Sequence, residues 1–399
     1  MTDTLFIRPV DVLCLRGNRL FGTAGDYAEA VMPPWPSVFS GAVRSRILVD
    51  RKIKMEHFLQ GSIDDAKAHK VLGSPRQPGT FRVTTVGIGW NGTVWYPAPY
   101  DLAAQDGTAS SCQAIHPVPL AEIHGTRSSY QLPRLPILRE QRPSKKSRFW
   151  ISTEGLADHL AGKPVESRHV LSPQKELWAI DPRLGIALDP ATGSVETGKI
   201  YTTDAITLRP ETGFVVEVEG TDGLAPKKGL LRLGGDGRGA TVEPYHGPSP
   251  SHLLRIPLQG NGFRMILATP GIYSKGENGE GWIPPGVFRE EKKGWVLRYK
   301  ELAARLVAAA VPGLEIVSGW DIAEHKPKQA VRAVPAGSVY WFQVEEGSLN
   351  VLEDLRNEGL WPLVRVRPGS VEGDWAARRA EGFNNVWIGV WHNATGQAT

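Results

Sequence analysis

Cysteine is scarce in this sequence, with Cys14 and Cys112 its only two. Two thiols supply neither a disulfide framework nor a four-thiolate zinc site, and they suit a reducing cytoplasm. Long apolar runs are missing as well. No stretch approaches the roughly 20 apolar residues a helix needs to cross a bilayer. The opening MTDTLFIRPV has no charged lead before an apolar segment, so neither a membrane partner nor a secretory signal is expected. Familiar catalytic motifs are also lacking. The ten histidines form no HxH or HExxH pair, and neither a GxSxG elbow nor a P-loop occurs. No metal, no cofactor and no catalysis are therefore expected. A histidine general base is the rival expectation. His116, His124, His159 and His169 lie in or beside two long insertions, and nothing singles one out.

What is abundant is turn-forming. Forty-four glycines and 31 prolines are spread along 399 residues, which favours a sheet-rich protein of two domains over a helical bundle. The net charge is only +4, but it is unevenly placed. From Gly125 to Trp150, Arg127, Arg134, Arg139, Arg142, Lys145, Lys146 and Arg148 face the single acid Glu140. That stripe alone exceeds the charge of the whole chain, so the rest sums to about −2. A polyanion partner and a solvated basic loop are both open from charge alone.

The C-terminal part has the plainer periodicity. FRMILAT (Phe263–Thr269) reads as a strand stopped by Pro270-Gly271. Trp295, Tyr299, Leu302, Leu306 and Ala310 recur at three and four, which predicts an amphipathic helix ended by Pro312-Gly313. LEIVSGW and SVYWFQVE read as strands, Ser348 as the cap of a helix ended by Gly359, and NVWIGVW as a last strand. The order β-α-β-β-α-β is ferredoxin-like.

The N-terminal half gives a looser version: a strand in Leu5–Leu15, a helix capped by Ser37, a hairpin at Trp90-Asn91-Gly92, a helix near Glu154–Leu160, and a strand at Gly213–Glu219. Residues 98–150 and 162–210 are long insertions. The expected fold is α+β, with two ferredoxin-like (RRM-like) βαββαβ domains. The domains are 1–243, with insertions, and 253–399, joined by a 244–252 linker. The tail from His392 is expected to fray.

Three places suit anion recognition. In PPWPSVFSGAVRSR, Phe39, Val43 and Ile47 share one helix face, while Ser37, Gly41 and Arg44 share another near the helix start. An ordinary capped helix with a solvated arginine has the same pattern. GLLRLGGDGRGA (Gly229–Ala240) fails as a dinucleotide fingerprint because a strand follows it. Its Gly234, Gly235 and Arg238 suit a phosphate or form a plain hairpin tip. Lys326, Lys328 and Arg332 lie in a loop near Trp320 and Trp341, two rings that either stack on bases or fill the core.

Taken in order, PPWPSVFSGAVRS, RLGIALDPATGSVETGKIYTTDAITL, GGDGRG, SGWDIAEHKPKQAVRAVPAGSVYWF and EGFNNVWIGVW resemble the RAMP superfamily. Within it they resemble the family of third subunits of the type III-B Cmr effector complex, from Leu5 to Trp391. The resemblance implies paired ferredoxin-like folds and a subunit that grips the 5′ handle of the CRISPR RNA. It also implies partners: the large polymerase-like subunit and the backbone RAMP subunits. The implied RNA-binding residues are Gly41, Arg44, Gly234, Gly235, Arg238, Lys326, Lys328 and Arg332. The basic insertion, with Arg134, Arg139, Arg142, Lys145 and Lys146, suits the point where handle meets spacer, as related subunits insert a thumb-like element there. After Gly382-Phe383 the chain has Asn384-Asn385 where many relatives have a further glycine, so no contact is carried over there. The rival readings are a RAMP endoribonuclease that processes CRISPR RNA precursors, and a scaffold that touches only protein.

Overall fold

The computed structural model describes residues 2–15, 27–28, 30–104, 112–123, 132–138, 148–189, 191–273, 281–364 and 372–392. The chain is a mixed α/β protein with several antiparallel sheets. It divides into two units that interleave along the sequence. One holds residues 1–92, 173–246 and 316–331, and the other 93–172, 247–315 and 332–399.

In the first unit five strands lie in the order Arg82–Trp90, Gly213–Glu219, Thr2–Pro9, Gly239–Pro244 and Gly229–Arg232, each antiparallel to its neighbours. Period-two alternation decides which side is covered. Leu5 and Ile7 are buried, and Phe6 and Arg8 point to the opposite face. Helix Pro36–Asp50 covers the apolar side with fully buried Phe39, Val43 and Ile47. The Phe39 ring meets that of Phe214 at a centroid distance of 5.0 Å. Ser37 is not the cap expected of it. Trp35 occupies that position and Pro36 opens the helix, so one amide that would need capping is missing. Asn91 and Gly92 take φ of 49° and 73°, as a two-residue hairpin turn requires.

Most of the 162–210 insertion is a long hairpin, Trp178–Leu188 against Val195–Leu208. Ile180, Leu184, Ile186 and Leu188 fall at even spacing on its first strand and are all exposed, Leu184 at 72%.

In the second unit six strands run Val287–Glu290, Gly294–Tyr299, Leu302–Ala310, Val339–Glu346, Gly262–Leu267 and Val386–Val390, again antiparallel throughout. Phe263 and Phe342 stack in its core, 4.9 Å between centroids and 14° between planes. Ser348 accepts from the Asn350 amide and starts the turn leading into helix Leu352–Glu358, which Gly359 ends at φ 65°. The helix expected over 295–310 does not form. Lys300 takes φ 51°, the chain reverses, and Tyr299 pairs with Leu302 in a hairpin. The periodicity misled because Leu302, Ala303, Ala304, Leu306, Val307 and Ala308 are all buried. With Arg305 its only polar residue, the segment has no polar helix face, and strand pairing on both edges overrides alanine's helix preference.

The expected helix near 154–160 is present as Thr153–Leu160, capped by Ser152 accepting from Gly155. No helix among the described residues is long and apolar enough to cross a membrane. The fraying expected beyond His392 concerns residues 393–399, outside the described residues.

Candidate nucleic-acid interface

The residues singled out for RNA divide by what already holds them. Gly41 lies on the exposed side of its helix, and an added Cβ would meet nothing within 4 Å. Arg44 turns instead toward its own helical neighbours. Its guanidinium lies 5.3 Å from the Phe58 ring centre and donates to the Leu72 carbonyl at 3.3 Å. The residue that ties this helix to the sheet is Arg46, which sequence reasoning passed over. It donates to the Leu230 carbonyl at 2.7 Å and pairs with Asp50 at 2.6 Å. Gly229 suits the place beside it because its φ of 132° is one that side chains rarely adopt, and a Cβ there would also crowd the Arg46 guanidinium at 2.7 Å.

Gly234, Gly235 and Arg238 do form the tip of a hairpin, between Gly229–Arg232 and Gly239–Pro244. The Gly235 amide donates to the Cys14 carbonyl at 2.9 Å, and Gly234, at φ 76°, would clash with that oxygen if it carried a side chain. Arg238 is paired with Asp11 at 2.8 Å. Burial, and then the Asp236 carboxylate, push the nearby Cys14 thiol up.

Lys326 and Lys328 belong to a small element in which Trp320–Asp321 pairs with Lys326–Pro327. Lys326 is exposed, 3.7 Å from Glu324, and the Lys328 amide donates to the Gly319 carbonyl at 2.9 Å. The two tryptophans separate cleanly. Trp341 is core, 1% exposed, whereas Trp320 is 60% exposed on this element. Arg332, on the other unit, is exposed and makes no side-chain hydrogen bond or ion pair among the described residues.

Of the basic stripe, Arg134 and Arg148 are described, while Arg127, Arg139, Arg142, Lys145 and Lys146 lie outside the described residues. Arg134 sits over the Trp391 ring at 5.6 Å and donates to the Pro117 carbonyl at 3.4 Å. Arg148 stacks on Tyr100 at 4.6 Å and donates to the Ala336 carbonyl at 2.6 Å. Burial lowers the pKa of each guanidinium. Both are therefore packing residues first, with aromatic faces and carbonyls replacing water.

The histidines separate in the same way. His159 is buried, its Nε2 2.8 Å from Asp101, and Arg264 reaches that same carboxylate at 2.6 Å. His169 Nδ1 lies 2.7 Å from the Ser152 hydroxyl. His116 is exposed, and His124 lies outside the described residues. No cluster of metal-ligating side chains occurs among the described residues.

The sequence from 5 to 391 matches a family described as "CRISPR-associated protein (Cas_Cmr3)". The protein is a CRISPR-associated protein. Because the match spans nearly the whole chain, it belongs to the Cas_Cmr3 family. Among solved structures, it is similar to a chain of the type III-B Cmr-beta complex bound to cognate target RNA and AMPPnP. The identity is 14%, the coverage 96% of this chain and 95% of that one, and the TM-score 0.48. A chain of the same complex bound to cognate target RNA gives 14% identity, 96% coverage of each chain and a TM-score of 0.47. A chain of the Csm3-Csm4 subcomplex from the type III-A interference complex gives 11%, 85% and 92% coverage, and 0.34. No curated protein matches the sequence significantly.

Proposed function

We propose that this chain is a non-catalytic, CRISPR RNA-binding subunit of a type III-B effector complex. In this reading it grips the 5′ handle of the guide and bridges the large polymerase-like subunit to the backbone subunits. Family membership supports the assignment to CRISPR defence. The observation that carries the RNA reading is the Trp320–Lys326 element. One small hairpin carries both an exposed indole, Trp320, and an exposed lysine, Lys326, so it offers a base a stacking face and a phosphate a cation. Arg332, on the other unit, is exposed as well.

Strand order supports a ferredoxin-like ancestry for each unit. Four adjacent strands of each sheet, 82–90, 213–219, 2–9 and 239–244 in one and 302–310, 339–346, 262–267 and 386–390 in the other, run 2-3-1-4 when numbered among themselves along the chain. A crossover helix is kept at 36–50 in the first and at 352–358 in the second. The non-catalytic reading is supported by His159, which is buried against Asp101, and by His169, which is half-buried and hydrogen-bonded to Ser152 and Arg168. Arg44 and Arg238 have intramolecular partners as well, so RNA contact by either requires exchanging those partners.

The test is equilibrium binding of a labelled handle RNA to the full chain across a salt series. Replacing Lys326, Lys328 and Arg332 by Ala should reduce the magnitude of the log–log salt slope by about 2, since each lost single-strand phosphate contact removes about 0.7. Metal-independent cleavage of repeat RNA by the purified chain, lost on changing one histidine, would instead establish the endoribonuclease.

A further inference from the structure

The face of the first unit's sheet away from its helix carries a cavity of about 150 Å³. Its rings are Phe6, Trp90, Tyr245 and the imidazole of His246, and its carboxylates are Glu211 and Glu243. The sequence builds it from two glycines. Phe6 lies opposite Val215 and Glu243 in the register, and its ring covers Gly213 and Gly89. A Cβ on Gly213 would meet the ring at 2.5 Å, and one on Gly89 at 3.1 Å. The ring lies low on the sheet because these two positions have no side chains. Tyr245 closes one side, its ring centre 6.5 Å from that of Phe6 and its hydroxyl donating to the Gly92 carbonyl at 3.3 Å.

Charge identifies the occupant. Neither Glu211 nor Glu243 makes a side-chain hydrogen bond or ion pair among the described residues, and no lysine or arginine lines the cavity. Two carboxylates in a lining with no lysine or arginine disfavour a phosphate backbone, which argues against nucleic acid here. Aromatic faces beside carboxylates attract a flat cation, through the ring quadrupole and through paired N–H···O bonds. The chain's own Arg8, which is not part of the lining, places its guanidinium 5.3 Å from the Phe6 ring centre, so this ring already accepts that group. We propose that the Phe6–Trp90–Tyr245 cavity, with Glu211 and Glu243, is a socket for an arginine side chain of a protein partner. Arginine fits better than lysine because its planar fork can stack and pair with a carboxylate at once.

The full chain labelled with 5-fluorotryptophan tests this, with Trp90→Phe assigning the Trp90 fluorine signal. Titration with N-acetyl-arginine methylamide should shift that signal saturably. Glu211→Gln/Glu243→Gln should weaken the response by at least about tenfold, while the remaining tryptophan signals stay dispersed. Both glutamates are exposed, so the fold tolerates the change. A missing shift, a shift that survives in the double variant, or an equal response to guanosine monophosphate would each overturn the proposal.

Discussion

Arg264 and Asp101, 163 positions apart in sequence, form an ion pair of 2.6 Å with essentially no solvent access. Arg264 also donates from Nε to the Val390 carbonyl at 3.2 Å and from Nη2 to the His159 carbonyl. The pair fastens the start of the first insertion to the second unit's sheet. Asp101→Asn leaves a buried guanidinium short of its counter-charge, and the expected cost is about 3–5 kcal/mol. The double variant Asp101→Asn/Arg264→Met should cost less than the sum of the singles. Denaturant titration of the three variants measures this, and strict additivity would mean the pair is not coupled.

The same cluster predicts acid sensitivity. Burial works to raise the Asp101 pKa, but the charges of His159 and Arg264 outweigh it and hold the carboxyl down to about 2. Burial also pushes His159 below its ordinary value of 6.5. Both groups bind protons more readily unfolded than folded, so their stabilisation is complete above pH 6.5. It is lost first through His159 as pH falls, then through Asp101 between 3.8 and about 2. Melting temperature should therefore decline below pH 6.5, and less steeply in His159→Gln. A wild-type Tm that rises between pH 7 and 5 would contradict this.

Thiol chemistry gives an independent check. Burial, with the Asp101 carboxylate second, pushes Cys112 up to about 12, and burial raises Cys14 as well. Alkylation by iodoacetamide at pH 8 should be at least roughly tenfold slower in the native chain than in denaturant, for both residues. Rapid native labelling of Cys112 would show the thiol to be more solvated than its surroundings imply.

The cleared floor under Phe6 predicts a specific rescue. Gly213→Ala places a methyl 2.5 Å from the ring and should destabilise by about 1–3 kcal/mol. Adding Phe6→Leu should recover part of that loss, measured by the denaturation midpoint. A double variant less stable than Gly213→Ala alone would mean the clash lies elsewhere.

These relationships differ in how far the sequence reveals them. Strands such as Gly262–Leu267 and Val386–Val390 were legible because compact apolar runs end at turn residues. The 302–310 strand was not, because alanine-rich spacing satisfies a helix equally well until its pairing partners are known. At the site, the basic residues are legible as charge, but their engagement is not. Arg148 on Tyr100 and Arg238 on Asp11 come together only through the fold. Trp320 is exposed on a two-stranded element, whereas Trp341 is buried in a strand paired on both edges. The Asp101–His159–Arg264 cluster has no local signature, since its members meet across 58, 105 and 163 positions.

The central claim is that this chain holds the guide's handle, and crosslinking within the assembled effector complex tests it most directly. A guide carrying 4-thiouridine through its 5′ handle should crosslink to this chain, with peptides spanning Trp320–Lys328 among the products. Trp320→Ala with Lys326→Ala should remove those peptides while the complex still assembles. Handle crosslinks found solely on other subunits, with none on this chain, would contradict the account.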